Sequence, residues 1–78
     1  MEETYSVIIE YYSGKRKGHK ITIEGIDQDD IMNILGEITQ DQLANAEIMI
    51  ERDGMMRLYE DYMFDHFTRS QEKSFEKN

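Results

Sequence analysis

The stretch Ala46-Glu47-Ile48-Met49-Ile50-Glu51-Arg52-Asp53-Gly54-Met55-Met56-Arg57-Leu58 decides how this chain folds. Ala46, Ile48 and Ile50 alternate with Glu47, Met49 and Glu51, the period-two pattern of a strand with one buried face. Met55, Leu58, Tyr59 and Tyr62 also fit a helical period, so a helix starting at Met55 competes with a fourth strand. Asp53-Gly54 tips the balance. A two-residue type I′ turn needs positive φ at both central positions, and Asp-Gly is among the few pairs that supply it. The expectation is a hairpin whose second strand runs from Met55 to Leu58 or Tyr59, then a helix to about residue 70. Tyr59, Tyr62, Met63, His66 and Phe67 share one face of that helix, with Glu60, Asp61 and Asp65 early and Arg69 and Lys73 late, as the helix macrodipole prefers.

The N-terminal half follows the same scheme. From Thr4 to Tyr12, Tyr5, Val7, Ile9 and Tyr11 alternate with Ser6, Ile8, Glu10 and Tyr12, and Lys20 to Glu24 alternates again. Gly14 and Gly18 bracket the turn between these strands. Ile31, Ile34, Leu35 and Ile38 then form a complete helical stripe, with Asp27 as the expected N-cap and Ile26 and Ile31 placed as a hydrophobic staple. Gly36 inside this stripe costs roughly 1 kcal/mol relative to alanine and makes close backbone packing or an early helix end plausible. Gln40 to Asn45 reads as a loop. The expected fold is α+β in the order ββαββα, a four-stranded antiparallel sheet with helices packed on one face. Residues 1–70 form the single domain, and 71–78 are a polar tail expected to fray.

A chain of 78 residues buries only about 60% of the surface its unfolded form exposes, so its core is thin. It has no cysteine, which excludes disulfides and thiolate metal sites. The opening Met1-Glu2-Glu3-Thr4-Tyr5 lacks the basic and apolar regions of a secretory signal, and no apolar run approaches the roughly 20 residues that span a bilayer. These features predict a cytoplasmic protein without membrane contact. The charge is split: Lys15, Arg16, Lys17 and Lys20 are four of the nine bases, so the remainder carries 5 − 17 = −12. The hairpin tip, Lys15, Arg16, Lys17, His19 and Lys20, is a single basic finger on an acidic body.

Chemistry-bearing motifs are scarce. Glu24, Asp27, Asp29 and Asp30 lie close together but lack the calcium-loop pattern, and acids before a helix are favoured there by roughly 0.3 to 1 kcal/mol each. His19 and His66 are the only histidines, and the chain has neither a phosphate-binding loop nor a nucleophile elbow. No enzyme, cofactor or metal is expected. The finger could grip phosphate, with Tyr11 and Tyr12 near enough to stack on a base, but the acidic body repels a polyanion and makes such binding weak and salt-sensitive. Apolar residues are in surplus. Met49 falls opposite Ala46, Ile48 and Ile50, Met55 and Met56 follow in the hairpin, and Phe64 and Phe75 lie off the helical stripe. A contiguous apolar patch on a small protein marks an interface, so a homodimer or a partner is expected to cover it.

The functional expectation is a small acidic, non-catalytic interaction module with a basic protein partner. In its sharpest form it is an inhibitor that mimics nucleic acid and fills the basic groove of a nucleic-acid-handling enzyme, with contact acids Asp27, Asp29, Asp30, Glu37, Asp41, Glu47 and Glu51. In size and charge alone the chain resembles the phage-encoded inhibitors and bacterial immunity proteins that bind nucleases. No residue motif carries that resemblance, and no site follows from it. The alternatives are a nucleic-acid-binding regulator that uses the tip 14–20 and a homodimeric structural or assembly protein.

Overall fold

Tyr5, Val7, Ile9 and Tyr11 all point to one side of β1 (Tyr5–Tyr11), and all four are buried. The structure, a computed structural model, describes residues 4–76, with side chains over 4–68. β1 is a central strand. It pairs antiparallel with β2 (Lys20–Ile26) on one side and with β3 (Ala46–Arg52) on the other, and β3 pairs with β4 (Met55–Leu58), giving the order β2-β1-β3-β4. The α+β architecture expected from the periodicity is present. Asp53 and Gly54 take φ of 53° and 77°, as the β3–β4 turn requires.

The helices are α1 (Ile31–Gly36), α2 (Gln40–Asn45) and α3 (Tyr59–Glu76). Ile31 and Leu35 of α1 are buried in the same core as Val7, Ile9, Ile26, Ile48 and Ile50, with Tyr59, Tyr62 and Met63 of α3 packed against them. α1 and α3 therefore cover one face of the sheet. Among the described residues, no helix is long and apolar enough to cross a membrane.

Local details depart from the sequence reading at several points, and one open alternative is decided. Gln40–Asn45 is a helix and not a loop, because Thr39 opens it with a capping box: the Gln42 amide donates to Thr39 Oγ1 at 3.1 Å, and the Thr39 amide donates to Gln42 Oε1 at 3.0 Å. Asp27 is not a side-chain cap. Its carbonyl accepts from the Asp30 and Ile31 amides, each at 3.0 Å, which makes a separate turn ahead of α1, and Asp30 at the N-cap position makes no side-chain cap bond. α1 ends at Gly36, with the Glu37 amide turned back to the Ile34 carbonyl, so the early end is realised; nothing packs closely on Gly36. α3 continues to Glu76, past the end near residue 70 that the side-chain pattern suggests and into the segment expected to fray.

The second strand also runs on to Ile26, and the reason is a bulge. Tyr5 faces Ile26 while Val7 faces Ile23, so β2 carries one extra residue opposite β1. Gly25 takes φ +71° there. Side chains alternate along a strand, so without the extra residue Ile26 would lie on the same face as Thr22 and Glu24. With it, Ile26 reaches the core beside Tyr5.

Two stability outcomes follow. Thr39→Ala should cost about 1 kcal/mol in urea unfolding, with Thr39→Ser close to wild type. Gly25→Ala should cost about 1 to 2 kcal/mol through backbone conformation alone, since a Cβ at that position would meet no atom within 4 Å. A neutral Gly25→Ala would mean that the bulge is not needed to hold Ile26 in the core.

Candidate protein-interaction surface

Among the described residues, no helix packs on the second face of the sheet, and the strand register arranges it in rows. The middle row is Thr22, Ile8, Met49 and Leu58; on one side lies Lys20, Glu10 and Glu47, and on the other Ser6, Glu51 and Met56. An apolar band thus runs between carboxylates. Ile8 and Met49 are half-buried, while Met56 and Leu58 are exposed. Strands lie about 4.8 Å apart and alternate residues about 7 Å apart, so Ile8 to Leu58 spans roughly 10 Å and the three rows roughly 14 Å. Glu10 and Glu47 face each other directly, a like-charge pair that weakens a sheet. Lys20 offsets it, with Nζ 3.5 Å from Glu10 Oε1.

The structure divides the seven predicted contact acids among three places. Asp27, Asp29 and Asp30 are exposed in the turn before α1, following Ile26 at the Tyr5 end of the sheet. Glu37 and Asp41 are exposed in the segment that leads through α2 into Ala46, at the opposite end. Glu47 and Glu51 alone share the open face. Glu10, Ile8 and Leu58 join them there. The alternation in β1 marks Glu10 and Ile8 as face-mates, but only the β1–β3 register shows which acids they meet.

The apolar candidates are also separated. Met49 and Met56 lie on the open face, whereas Met55 pairs with Arg52 on the helix-covered side and is exposed at its edge. Phe64 is exposed on α3, as is Phe67. The side chain of Phe75 lies outside the described residues.

The basic finger is braced at its root. The Tyr12 and Ser13 amides both donate to the Asn45 carbonyl, at 2.9 and 3.3 Å, and Ser13 Oγ donates to Asn45 Oδ1 at 2.8 Å. Asn45 Nδ2 in turn donates to Asp41 Oδ1 at 3.0 Å, so the C-terminal end of α2 holds the hairpin. Gly14 and Gly18 have φ of 79° and 90°, and the Gly18 amide closes the loop on the Tyr11 carbonyl at 2.9 Å. Lys15, Arg16, Lys17, His19 and Lys20 are all exposed, with the Arg16 guanidinium 5.9 Å from the centre of the Tyr11 ring.

Comparison with protein-family models, with curated proteins and with solved structures gives no match to this chain.

A groove at the Tyr5 end holds the remaining ionisable cluster. Arg52 Nη1 donates to Tyr5 Oη at 3.0 Å, Arg52 Nε lies 4.0 Å from Asp53 Oδ2, and Arg57 pairs with Asp65. Tyr62 meets the Tyr5 ring edge-on at 6.3 Å, and His66 is exposed at the margin. Among the described residues, no serine, threonine or cysteine lines this groove for His66 to activate, and no three acids or histidines are grouped to hold a metal.

Burial raises the Tyr5 hydroxyl above its ordinary pKa of 10.0, with Tyr62 and Asp53 adding to the effect. The guanidinium donor alone would pull the other way. A raised pKa means the fold favours the protonated phenol, so this contribution to stability is complete below pH 10.0 and is lost as pH rises through the higher folded value. Wild-type stability, measured by guanidinium unfolding at successive pH values, should therefore fall above pH 10.0 more steeply than that of Tyr5→Phe. Parallel curves would rule out Tyr5 as the source.

Proposed function

We propose that the chain is a non-catalytic interaction module that captures a basic protein through the open face of its sheet. One observation carries this reading: the uncovered row Ile8, Met49 and Leu58 lies between the carboxylates of Glu10 and Glu47 on one side and Glu51 on the other. A segment with apolar residues along the row and lysines or arginines at its flanks complements this face in shape and charge. It also relieves the opposition of Glu10 and Glu47.

The size of the face sets the expected strength. A stable interface covers about 800 Å² on each partner, far more than a band roughly 10 by 14 Å. A partner held by this face alone binds weakly, and its association rate depends on the acidic field of the chain, whose net charge is −8. The sharper form of the proposal, an inhibitor that takes the place of nucleic acid in a basic groove, rests on Glu10, Glu47 and Glu51. Asp27, Asp29, Asp30, Glu37 and Asp41 stand elsewhere and would only add to the field.

The test compares wild type with a Glu47→Lys, Glu51→Lys double variant, with folding checked by circular dichroism. Wild type should recover a basic protein from native cytosol, with an association rate that falls steeply as salt rises, and the double variant should lose it. Recovery of the same protein by both, or of an acidic one, would overturn the proposal. Binding of labelled DNA or RNA at low salt that is removed by Lys15→Ala, Arg16→Ala and Lys17→Ala would move the function to the finger.

A further inference from the structure

The exposed apolar side chains are not scattered evenly. Of the eight large ones among the described residues, Tyr12, Leu43 and Leu58 come from three separate elements and line a single cleft. Tyr12 follows β1, Leu43 belongs to α2, and Leu58 ends β4. Tyr59 adds a second aromatic wall, and Glu47 and Glu60 supply two carboxylates. The cleft measures about 370 Å³. That lies at the lower end of the range of about 300 to 1,000 Å³ over which protein pockets enclose a ligand, a scale suited to one or two long side chains. An apolar wall with acids on it suits a side chain with an aliphatic stem and a cationic head. Arginine suits it best, because its planar group stacks on tyrosine and hydrogen-bonds carboxylates in a fork.

The chain itself carries such side chains at the same end of the sheet. Tyr11 faces Ala46 across the β1–β3 ladder, so the turn after β1 and the start of β3 lie together, and the direction of β4 brings Leu58 and Tyr59 towards the same end. The finger and the cleft are adjacent, and Tyr12 belongs to both. The finger is held to α2 through Asn45, and among the described residues Lys15, Arg16 and Lys17 form no ion pair within their own chain. A braced loop loses little freedom on docking.

We infer that two copies of the chain associate about a two-fold axis at this end, each placing Arg16 in the cleft of the other against Glu47 and Glu60, with Lys15 and Lys17 at its mouth. A cleft and its complement side by side on one surface satisfy the requirement of an isologous interface: one rotation makes both contacts at once and the assembly closes as a dimer. The net charge of −8 on each copy opposes association. Screening decides the balance. At physiological ionic strength the field of a distant charge decays over about 8 Å, so most acids of the second body are muted while the finger and cleft are in contact. The dimer goes beyond the capture of a basic partner: it shares Glu47 and Leu58 with the open face but leaves Glu51, Met56, Ile8 and Met49 unused.

Charge exchange tests the inference directly. Wild type should scatter light as a dimer at physiological salt and as a monomer near 1 M salt, where screening acts within about 3 Å. The finger variant Lys15→Glu, Arg16→Glu, Lys17→Glu and the cleft variant Glu47→Lys, Glu60→Lys should each be monomeric yet folded by circular dichroism. An equimolar mixture of the two should recover a dimer, because reversed finger meets reversed cleft and native finger meets native cleft. Glu51→Lys should leave the dimer intact. A monomeric wild type, a dimer that survives in both variants or at 1 M salt, or a mixture that stays monomeric would each overturn the inference.

Discussion

The pairing of β1 with β3 is the interaction on which the rest of the structure depends. It joins the two hairpins into one sheet and fixes seven residue pairs, from Tyr5 with Arg52 to Tyr11 with Ala46. Because side chains alternate along a strand, this register sorts both strands at once. Tyr5, Val7, Ile9, Ala46, Ile48 and Ile50 go to the core, while Ile8, Glu10, Glu47, Met49 and Glu51 go to the open face. A slip of one residue between the strands would oppose core residues to exposed ones and leave Ile31 and Leu35 without a continuous apolar floor. The composition of the core and that of the candidate surface are therefore one decision.

The elements that are legible in the sequence are those whose cause is local. Alternation in β1, the Asp53-Gly54 turn and the apolar spacing of α1 and α3 each appear within a short window. α2 reads as a loop because its apolar content is too low to show by period; the signal that marks it is Thr39-Gln40-Asp41-Gln42, which has the Thr-x-x-Gln form of a capping box. The bulge at Gly25 is subtler. A glycine inside a strand hints at a bulge, yet only the need to turn Ile26 inward gives it a purpose, and that need comes from packing.

The candidate surface was less legible, for a physical reason. Sequence periodicity assigns residues to faces of single elements, whereas a binding surface is assembled across elements by long-range pairing. Glu47 and Met49 could be placed on the outer face of β3, but not beside Glu10 and Ile8. Net charge misleads in the same way. The chain reads as an acidic body, but Asp27, Asp29 and Asp30 stand at the turn that precedes α1 while Glu37 and Asp41 stand at the other end of the sheet, so its acids form no single array.

The sheet edges show how the fold limits its own stickiness while leaving one face uncovered. β4 is short, and β2 is interrupted by the Gly25 bulge and carries Lys20, so neither edge offers a long regular ladder to another strand. Part of the exposed apolar surface lies on the open face and in the cleft by Tyr12, where carboxylates border it, while Met55, Phe64 and Phe67 are exposed elsewhere. Glu10 opposite Glu47 is the informative case. Two like charges across a ladder cost stability, and a sheet selected for folding alone would hold a neutral or basic residue at one of these positions. Lys20 compensates from one side only, leaving Glu47 between the open face and the cleft with no cation of its own chain among the described ion pairs. The two surfaces proposed to bind cations meet at this residue.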